Sequence, residues 1–286
     1  MKTNDNRISA FKQWQVLTRQ YGNILLSDKK NLMVMLLFPL IAAIITVWIA
    51  GEDMFVHYDG TKAGNFVLVS AAIWGGLFNS IQVVVKERAN IKRDYVTGLR
   101  LRCYTASRAV WHLVLCVIQS GIMVVSYVGV KAFYDNPLPK DGILCGSALL
   151  ELYITLLLLM FAADMMGILI SCIVKKSDTA NVLAPYILIV QLIFSGILFE
   201  LDGLAEKVSY FMISKWGMEA LGSISELNDL PLKVQLTVPT VPHEAESIFE
   251  HSKDHLLTVW GILLAFSIVF VVLGNLMLHR VSKDTR

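Results

Sequence analysis

Six apolar runs, each near or beyond the length needed to cross a bilayer, decide what this chain can become. A spanning helix needs about 20 mostly apolar residues. The runs lie at 31–50, 65–85, 106–134, 142–174, 180–199 and 256–278. They are continuously apolar rather than alternating, which excludes a membrane β-barrel. Lipid offers no partner to backbone N–H and C=O groups, so each run is expected to satisfy them internally as a helix. The expected fold class is therefore all-α integral membrane, with six transmembrane helices. Pro39 and Pro185 lie inside the first and fifth runs, and Glu151 and Asp164 interrupt the fourth. The third is long for one span, so it is expected to tilt or to project into water. Composition agrees: 17% of the 286 residues are charged, whereas a soluble domain carries roughly 25%. That is too few to cover a water-facing surface, which argues against a soluble catalytic domain and against nucleic-acid binding.

Charge placement gives the orientation. Of the 25 Lys and Arg residues, six precede the first run, seven lie after the second run up to and including Arg108 at the start of the third, two follow the fourth and three end the chain. Those 18 share one side if the runs alternate, and basic loops stay cytoplasmic. Both termini are then cytoplasmic. Most acids, among them Glu200, Asp202, Glu226, Asp229, Glu244, Glu246 and Glu250, fall on the outer side. The first 30 residues are polar and carry no signal-peptide core. Cys103 falls on the cytoplasmic side, and Cys116, Cys145 and Cys172 within apolar runs, where they read as small apolar side chains.

The connecting segments divide the chain into a cytoplasmic N-terminus (1–30), a six-helix body (31–280) and a short tail (281–286). In residues 7–29, Ile8, Phe11, Trp14, Leu17, Tyr21 and Ile24 recur at helical spacing with Lys12, Arg19 and Gln20 between them. That pattern predicts a basic amphipathic interfacial helix, acting as a lipid-surface anchor or packing on a cytoplasmic partner. The segment 87–108 is too short for a catalytic domain, yet it mixes both charge signs with spaced aromatics. Glu87 and Asp94 would be superfluous in a simple stop-transfer cluster, and Gly98 offers a hinge. It reads as a structured elbow that docks on a partner, against the plainer reading of topology-setting charge. On the outer side, 200–254 is expected to hold short re-entrant or interfacial helices over 201–222, because Asp202, Glu206, Lys207 and Lys215 cannot all enter lipid cheaply. A polar loop follows, in which alternating Val234, Leu236 and Val238 hint at one strand.

Catalytic chemistry is thin. There is no G-x-x-x-x-G-K-[ST] loop, no G-x-S-x-G and no H-E-x-x-H in the sequence. His251 and His255, four apart beside Glu250, could share a metal on a helix, or simply belong to a solvated loop. Gly142 and Gly146 form one G-x-x-x-G at the outer end of the fourth run, a spacing that permits close helix packing. Asp164 stands apart, because a carboxylate inside an apolar run is costly and faces a cavity or a partner. It reads as a proton or cation site, as polar lining of a substrate route, or as a buried hydrogen-bonded staple.

The elbow also carries a family likeness. Glu87-Arg88, Arg93-Asp94, Gly98, Tyr104 and Ala106-Ser107-Arg108 resemble the segment joining the second and third helices in the membrane domain of ABC exporters of the G (white/pleiotropic-drug) subfamily and their bacterial ABC-2-type relatives. Asp94 stands for that family's Glu and Arg108 for its Lys. Trp14–Arg19 with Asp28–Leu32 resembles the connecting helix leading to the first span. Gly167–Ser171 resembles the end of the fourth span, Phe194–Leu198 with Leu201 that of the fifth, and Lys215–Leu221 an outer helix in which Trp216 and Met218 depart from the usual residues. The likeness covers about residues 8–280. Relatives usually carry a small residue where Asp164 sits.

What the resemblance implies is a permease subunit of an ATP-driven exporter in the plasma membrane, for a bacterium the inner membrane. The ATPase, with its ATP and Mg, would be on a separate partner chain, and no cofactor would bind here. A second permease copy would complete a homodimer. Coupling to the ATPase would fall to Glu87, Arg88, Arg93, Asp94, Gly98, Tyr104 and Arg108, with Trp14 on the amphipathic helix. The substrate path would run between the second and fifth helices, along Trp74, Phe78, Asn79, Ile189, Gln191 and Leu192, with Ile197 and Leu198 as an outer gate. Its apolar character suits an amphipathic or lipid-like cargo. Two other readings stay open from the residues: an ion-gradient-driven carrier using Asp164, and a non-transporting membrane anchor for an ATPase.

Overall fold

The computed structural model describes residues 9–139, 141–199, 201–236 and 245–283. Its helices are α1 (Ala10–Ser27), α2 (Lys29–Ala50), α3 (Tyr58–Ser80), α4 (Val83–Val96), α5 (Leu101–Tyr134), α6 (Ala148–Ile173), α7 (Ser177–Ile193), α8 (Leu204–Ser209), α9 (Ile213–Ile224) and α10 (Lys253–Lys283). Among the described residues there is no strand. Val234 and Leu236 lie in a 3-10 turn, Lys233–Leu236, so the strand hinted at by their alternation does not form there; Val238 lies outside the described residues.

Five helical segments are long and apolar enough to cross a membrane: α2, the α3–α4 rod (39 residues from Tyr58 to Val96), α5, α6 and α10. The fifth apolar run gives only the 17-residue α7, about 26 Å of helix at 1.5 Å per residue, short of a hydrocarbon core of about 30 Å. It stops at Ile193, six residues before the end of its run, and the chain turns through Gly196 at φ +79°. By contrast α5, with 34 residues, is about 51 Å long. It starts at Leu101, ahead of the apolar run.

Packing centres on α3 and α6, whose small residues let the two backbones approach. A Cβ on Gly76 would lie 2.3 Å from the Met160 carbonyl oxygen, and one on Gly167 would lie 2.2 Å from Ser80 Oγ. Those glycines make the close contact. Gly142 and Gly146, singled out by spacing, are instead in the loop before α6. There the Glu151 carboxylate accepts the backbone N–H groups of Ile143 (2.9 Å), Leu144 and Cys145 (2.7 Å). This explains how an acid is tolerated at that helix start. Cys145 sits in the same loop and is exposed.

The segment after α7 does not simply skim a surface. α9 is buried along nearly its whole length, from Ile213 to Ile224, against α3, α6 and α10. Lys215 and Glu219 enter as a pair, Nζ to Oε1 2.5 Å, so each offsets the other's charge. His251 precedes α10 and bonds the Ser223 carbonyl, whereas His255 is on the helix; the two do not share a helix face, and among the described residues no cluster of three metal-ligating side chains occurs.

Candidate functional site

The elbow is built by a break and a turn. α3 ends at Ser80 and α4 begins at Val83; Ser171 Oγ of α6 accepts the freed N–H groups of Val84 and Val85, 3.0 Å each. Backbone donors without a helical partner would otherwise be left orphaned in a buried setting. Arg88 Nη1 donates to the Val174 carbonyl at 2.8 Å, holding α4 to the end of α6. At the far end Gly98 takes φ +103°, a left-handed value suited to glycine, and α5 starts three residues later. Beneath the turn, Val84, Ile91, Leu101 and Tyr104 pack with Met165, Ile168, Cys172 and Leu278. The elbow is therefore a folded helical corner seated on α6 and α10.

Its charged residues divide into two groups. Glu87, Tyr104 and Arg108 meet: Arg108 Nη2 and Tyr104 Oη both donate to Glu87 Oε2, each at 2.5 Å. The Arg108 guanidinium lies between two rings, 4.0 Å from the Tyr21 centroid and 4.4 Å from that of Tyr104. A cation so placed gains from both ring faces. Arg93 and Asp94 are not part of this knot. Arg93 is 74% exposed and pairs only sideways with Asp94, 3.1 Å. α4 turns its last two charges outward, where they pair with each other, while Arg88 is held at the end of α6.

α1 lies alongside the N-terminal part of α5. Gln13 Nε2 donates to the Gly98 carbonyl (3.2 Å), and its Oε1 accepts from Arg100 N (3.1 Å). Trp111 Nε1 donates to the Thr18 carbonyl at 2.7 Å, and its ring fills the notch left by Gly22, where a Cβ would meet it at 2.1 Å. The buried face is Tyr21, Gly22 and Leu25. Trp14 is half-buried and meets Phe11 in a tilted ring contact at 5.6 Å; Phe11 is exposed, as is Ile24. The apolar face read from the sequence is thus rotated, and Ile8 lies outside the described residues. Burial holds the Tyr21 phenol well above its ordinary pKa, so it stays neutral.

Behind Tyr21 the polar chain continues inward. Tyr21 Oη is 2.9 Å from His112 Nε2, and His112 Nδ1 is 2.9 Å from Asp164 Oδ2. Cys116 Sγ approaches the same oxygen at 3.5 Å, and Ser80 Oγ donates to the Asp164 carbonyl at 2.6 Å. His112 and Asp164 have no exposed side-chain surface. Asp164 is therefore hydrogen-bonded inside the bundle. His112 was the partner that sequence reasoning missed; an imidazole in an apolar run, four residues before Cys116, was the signal available.

A cavity of about 530 Å³ opens beside this chain, between α1, α2, α3 and α4. Trp74 and Phe78 stack on its wall with centroids 5.4 Å apart, and are 37% and 41% exposed. Val34 and Phe38 continue the apolar surface, while Asp28, Asn31, Gln82 and Lys86 form a polar mouth. Asn79 reaches this cavity, but its amide is tied to Gln119 in two bonds of 2.6 and 3.2 Å. On α7, Ile189 is exposed, Leu192 is half-buried, and Gln191 is buried and bonded to Ser214. Ile197 packs into the core while Leu198 is exposed. None of these α7 side chains lines the cavity, so one chain alone does not bring the two halves of the expected path together.

The sequence profile of the ABC-2 type transporter family matches residues 12–224. The chain is also similar to the ABC transporter ATP-binding/permease protein Rv1747 of Mycobacterium tuberculosis, 24% identical over 273 residues. That alignment covers 92% of this chain and 30% of the relative, so the chain spans less than a third of the length of that protein. The matched region takes in α1, the elbow, the stacked aromatic pair and the Asp164 chain. With well over half its length inside the family profile, this multi-pass chain belongs to the ABC-2 type transporters, as their membrane permease domain.

Proposed function

We propose that this chain is the permease subunit of an ATP-driven exporter of an amphipathic or lipid-like substrate. It would work in the bacterial inner membrane as a homodimer, with both termini cytoplasmic and α7 completing a six-span bundle. The observation that carries the reading is the elbow: α4 and the start of α5 are a rigid corner on α6 and α10, with α1 strapped along α5 and Arg93 and Asp94 turned outward. A rigid lever with an outward charged tip suits a nucleotide-binding partner, whose closure would move α3 to α6 together. The relative joins ATP-binding and permease functions by name; here the ATPase, with its ATP and Mg, is expected on a partner chain. The cavity supports the substrate class, since stacked Trp74 and Phe78 offer an apolar wall below a polar mouth, the split that an amphipathic molecule shows.

Mild-detergent purification of the tagged chain, with identification of what copurifies, tests this. A stoichiometric ABC ATPase with vanadate-sensitive hydrolysis supports it. A chain that purifies without an ATPase and moves cargo on an ion gradient would overturn it in favour of a secondary carrier.

A further inference from the structure

The exporter reading has no use for a carboxylate buried beside an imidazole, yet neither member of that pair has any exposed side-chain surface. Asp164 Oδ1 has no hydrogen-bond partner among the described residues, and Arg108 Nε is likewise unpartnered. The charged groups around them are few. α4 brings Glu87, with Lys86 beside it on the cavity wall and Arg88 turned to the Val174 carbonyl; α5 brings Arg108, α1 brings the Tyr21 phenol, and Asp28 lies on the same wall between α1 and α2. α3 offers the Ser80 hydroxyl and α5 the Cys116 thiol. α10 has no Asp, Glu, Lys or Arg between residues 256 and 278, α2 has none between 31 and 50, and the Lys215–Glu219 pair of α9 is closed on itself.

The connected network then holds two carboxylates and one guanidinium. Arg108 is paired with Glu87, which keeps some access to water, so an ionised Asp164 beside a neutral His112 is left as one uncompensated negative charge with no exposed surface, which is expensive. One more proton on the His112–Asp164 pair removes it, as imidazolium with carboxylate or as imidazole with carboxylic acid. In closely coupled groups that proton belongs to the pair rather than to either member.

We infer that His112 and Asp164 form a binding site for one exchangeable proton, filled from the α1–α4 cavity through Tyr21. Tyr21 is itself part of the cavity wall, as is Glu87. Without the proton, the Tyr21 hydroxyl donates to His112 Nε2, and His112 Nδ1–H donates to the Asp164 carboxylate. On loading, a hydronium ion in the cavity gives a proton to the Tyr21 oxygen, leaving water, while the hydroxyl proton passes to Nε2. The Nδ1 proton moves to Asp164 Oδ2, leaving a neutral imidazole whose Nε2–H donates to Tyr21. One proton is taken up, none is lost, and the phenol is regenerated. Because Tyr21 is on α1 and Asp164 on α6, the wire is intact only while α1 stays docked, so the site's exchange reports the position of α1.

Infrared difference spectroscopy on the full-length chain in lipid nanodiscs tests this, titrating between about pH 4 and about pH 10. The expected result is a carboxylic-acid C=O band that rises with acidification, shifts on 13C-aspartate labelling and is lost in Asp164→Asn. Tyr21→Phe keeps the ring stack but not the hydroxyl, and should keep the band while slowing its hydrogen–deuterium exchange. If Asp164→Asn does not fold, 13C-aspartate labelling of His112→Gln replaces it, with a displaced titration expected. A labelled spectrum flat across the range, or exchange in Tyr21→Phe as fast as in the parent chain, would overturn the assignment.

Discussion

Replacing Arg108 with Met measures how firmly the elbow is knotted. Arg108 donates to Glu87 at 2.5 Å, and its side chain is 7% exposed against 23% for Glu87. Removing one member of a buried ion pair costs about 3–5 kcal/mol, much of it from the charge left behind. Glu87 keeps some access to water and the Tyr104 hydroxyl, which favours about 3 kcal/mol, the low end of that range. Loss of the two ring contacts at 4.0 and 4.4 Å adds about 1 kcal/mol. Glu87→Gln should cost a comparable amount, because it strands the more deeply buried guanidinium. The double variant should cost less than the sum, with a coupling of at least about 1 kcal/mol. Reversible unfolding in mixed micelles of the parent, both single variants and the double variant gives the cycle. Additivity within about 0.5 kcal/mol would refute the idea that Glu87 and Arg108 act as a unit.

Four further outcomes follow from the structure. Arg93→Ala should change stability by no more than about 0.5 kcal/mol, as exposed substitutions do, yet uncouple ATP hydrolysis from transport in the reconstituted complex; parent-level coupling would remove Arg93 from the docking tip. Gly22→Val drives a side chain into the Trp111 ring, and should open α1 to trypsin at Lys12 and Arg19. Gly76→Ala should leave α1 protected and instead destabilise the α3–α6 contact by about 1–3 kcal/mol through overpacking. At the opposite end, Lys233 Nζ lies 2.6 Å from Asp53 and holds its carboxyl below the usual range, while Asp53 raises Lys233. The lowered acid makes this tie fully present above the ordinary Asp pKa and lost as pH falls through its lowered value. The raised Lys makes it present below the ordinary Lys pKa and lost as pH rises through its raised value. Protection from hydrogen exchange at residues 51–57, taken relative to the intrinsic rate at each pH, should be greatest between those limits and fall beyond each.

The helices were legible because a bilayer leaves few other choices for long apolar runs, and the folded corner at 87–108 because its charges of both signs are interleaved with apolar and aromatic residues that pack on α6 and α10. The failures have local causes. Apolar length alone could not reveal that α7 stops at Ile193, because the turn at Gly196 interrupts a run that stays hydrophobic. The α1 face was misjudged because its contact is set by a notch at Gly22 that receives Trp111, not by the largest apolar residues. Gly142 and Gly146 matched a packing spacing, whereas Gly76 and Gly167, on different helices, make the contact and carry no local pattern. Asp164 was visible as an anomaly, but its partner is 52 residues away on α5, a pairing that only tertiary structure supplies.

The central claim is that ATP drives cargo through this chain. Its most direct test is transport of a fluorescent phospholipid analogue and a cationic amphipathic dye by proteoliposomes holding the chain with its copurified ATPase. The account predicts movement of at least one probe that requires ATP, stops with vanadate and falls when Trp74 and Phe78 are replaced by Ala. Movement that ignores ATP and vanadate but follows an imposed proton or sodium gradient would contradict it.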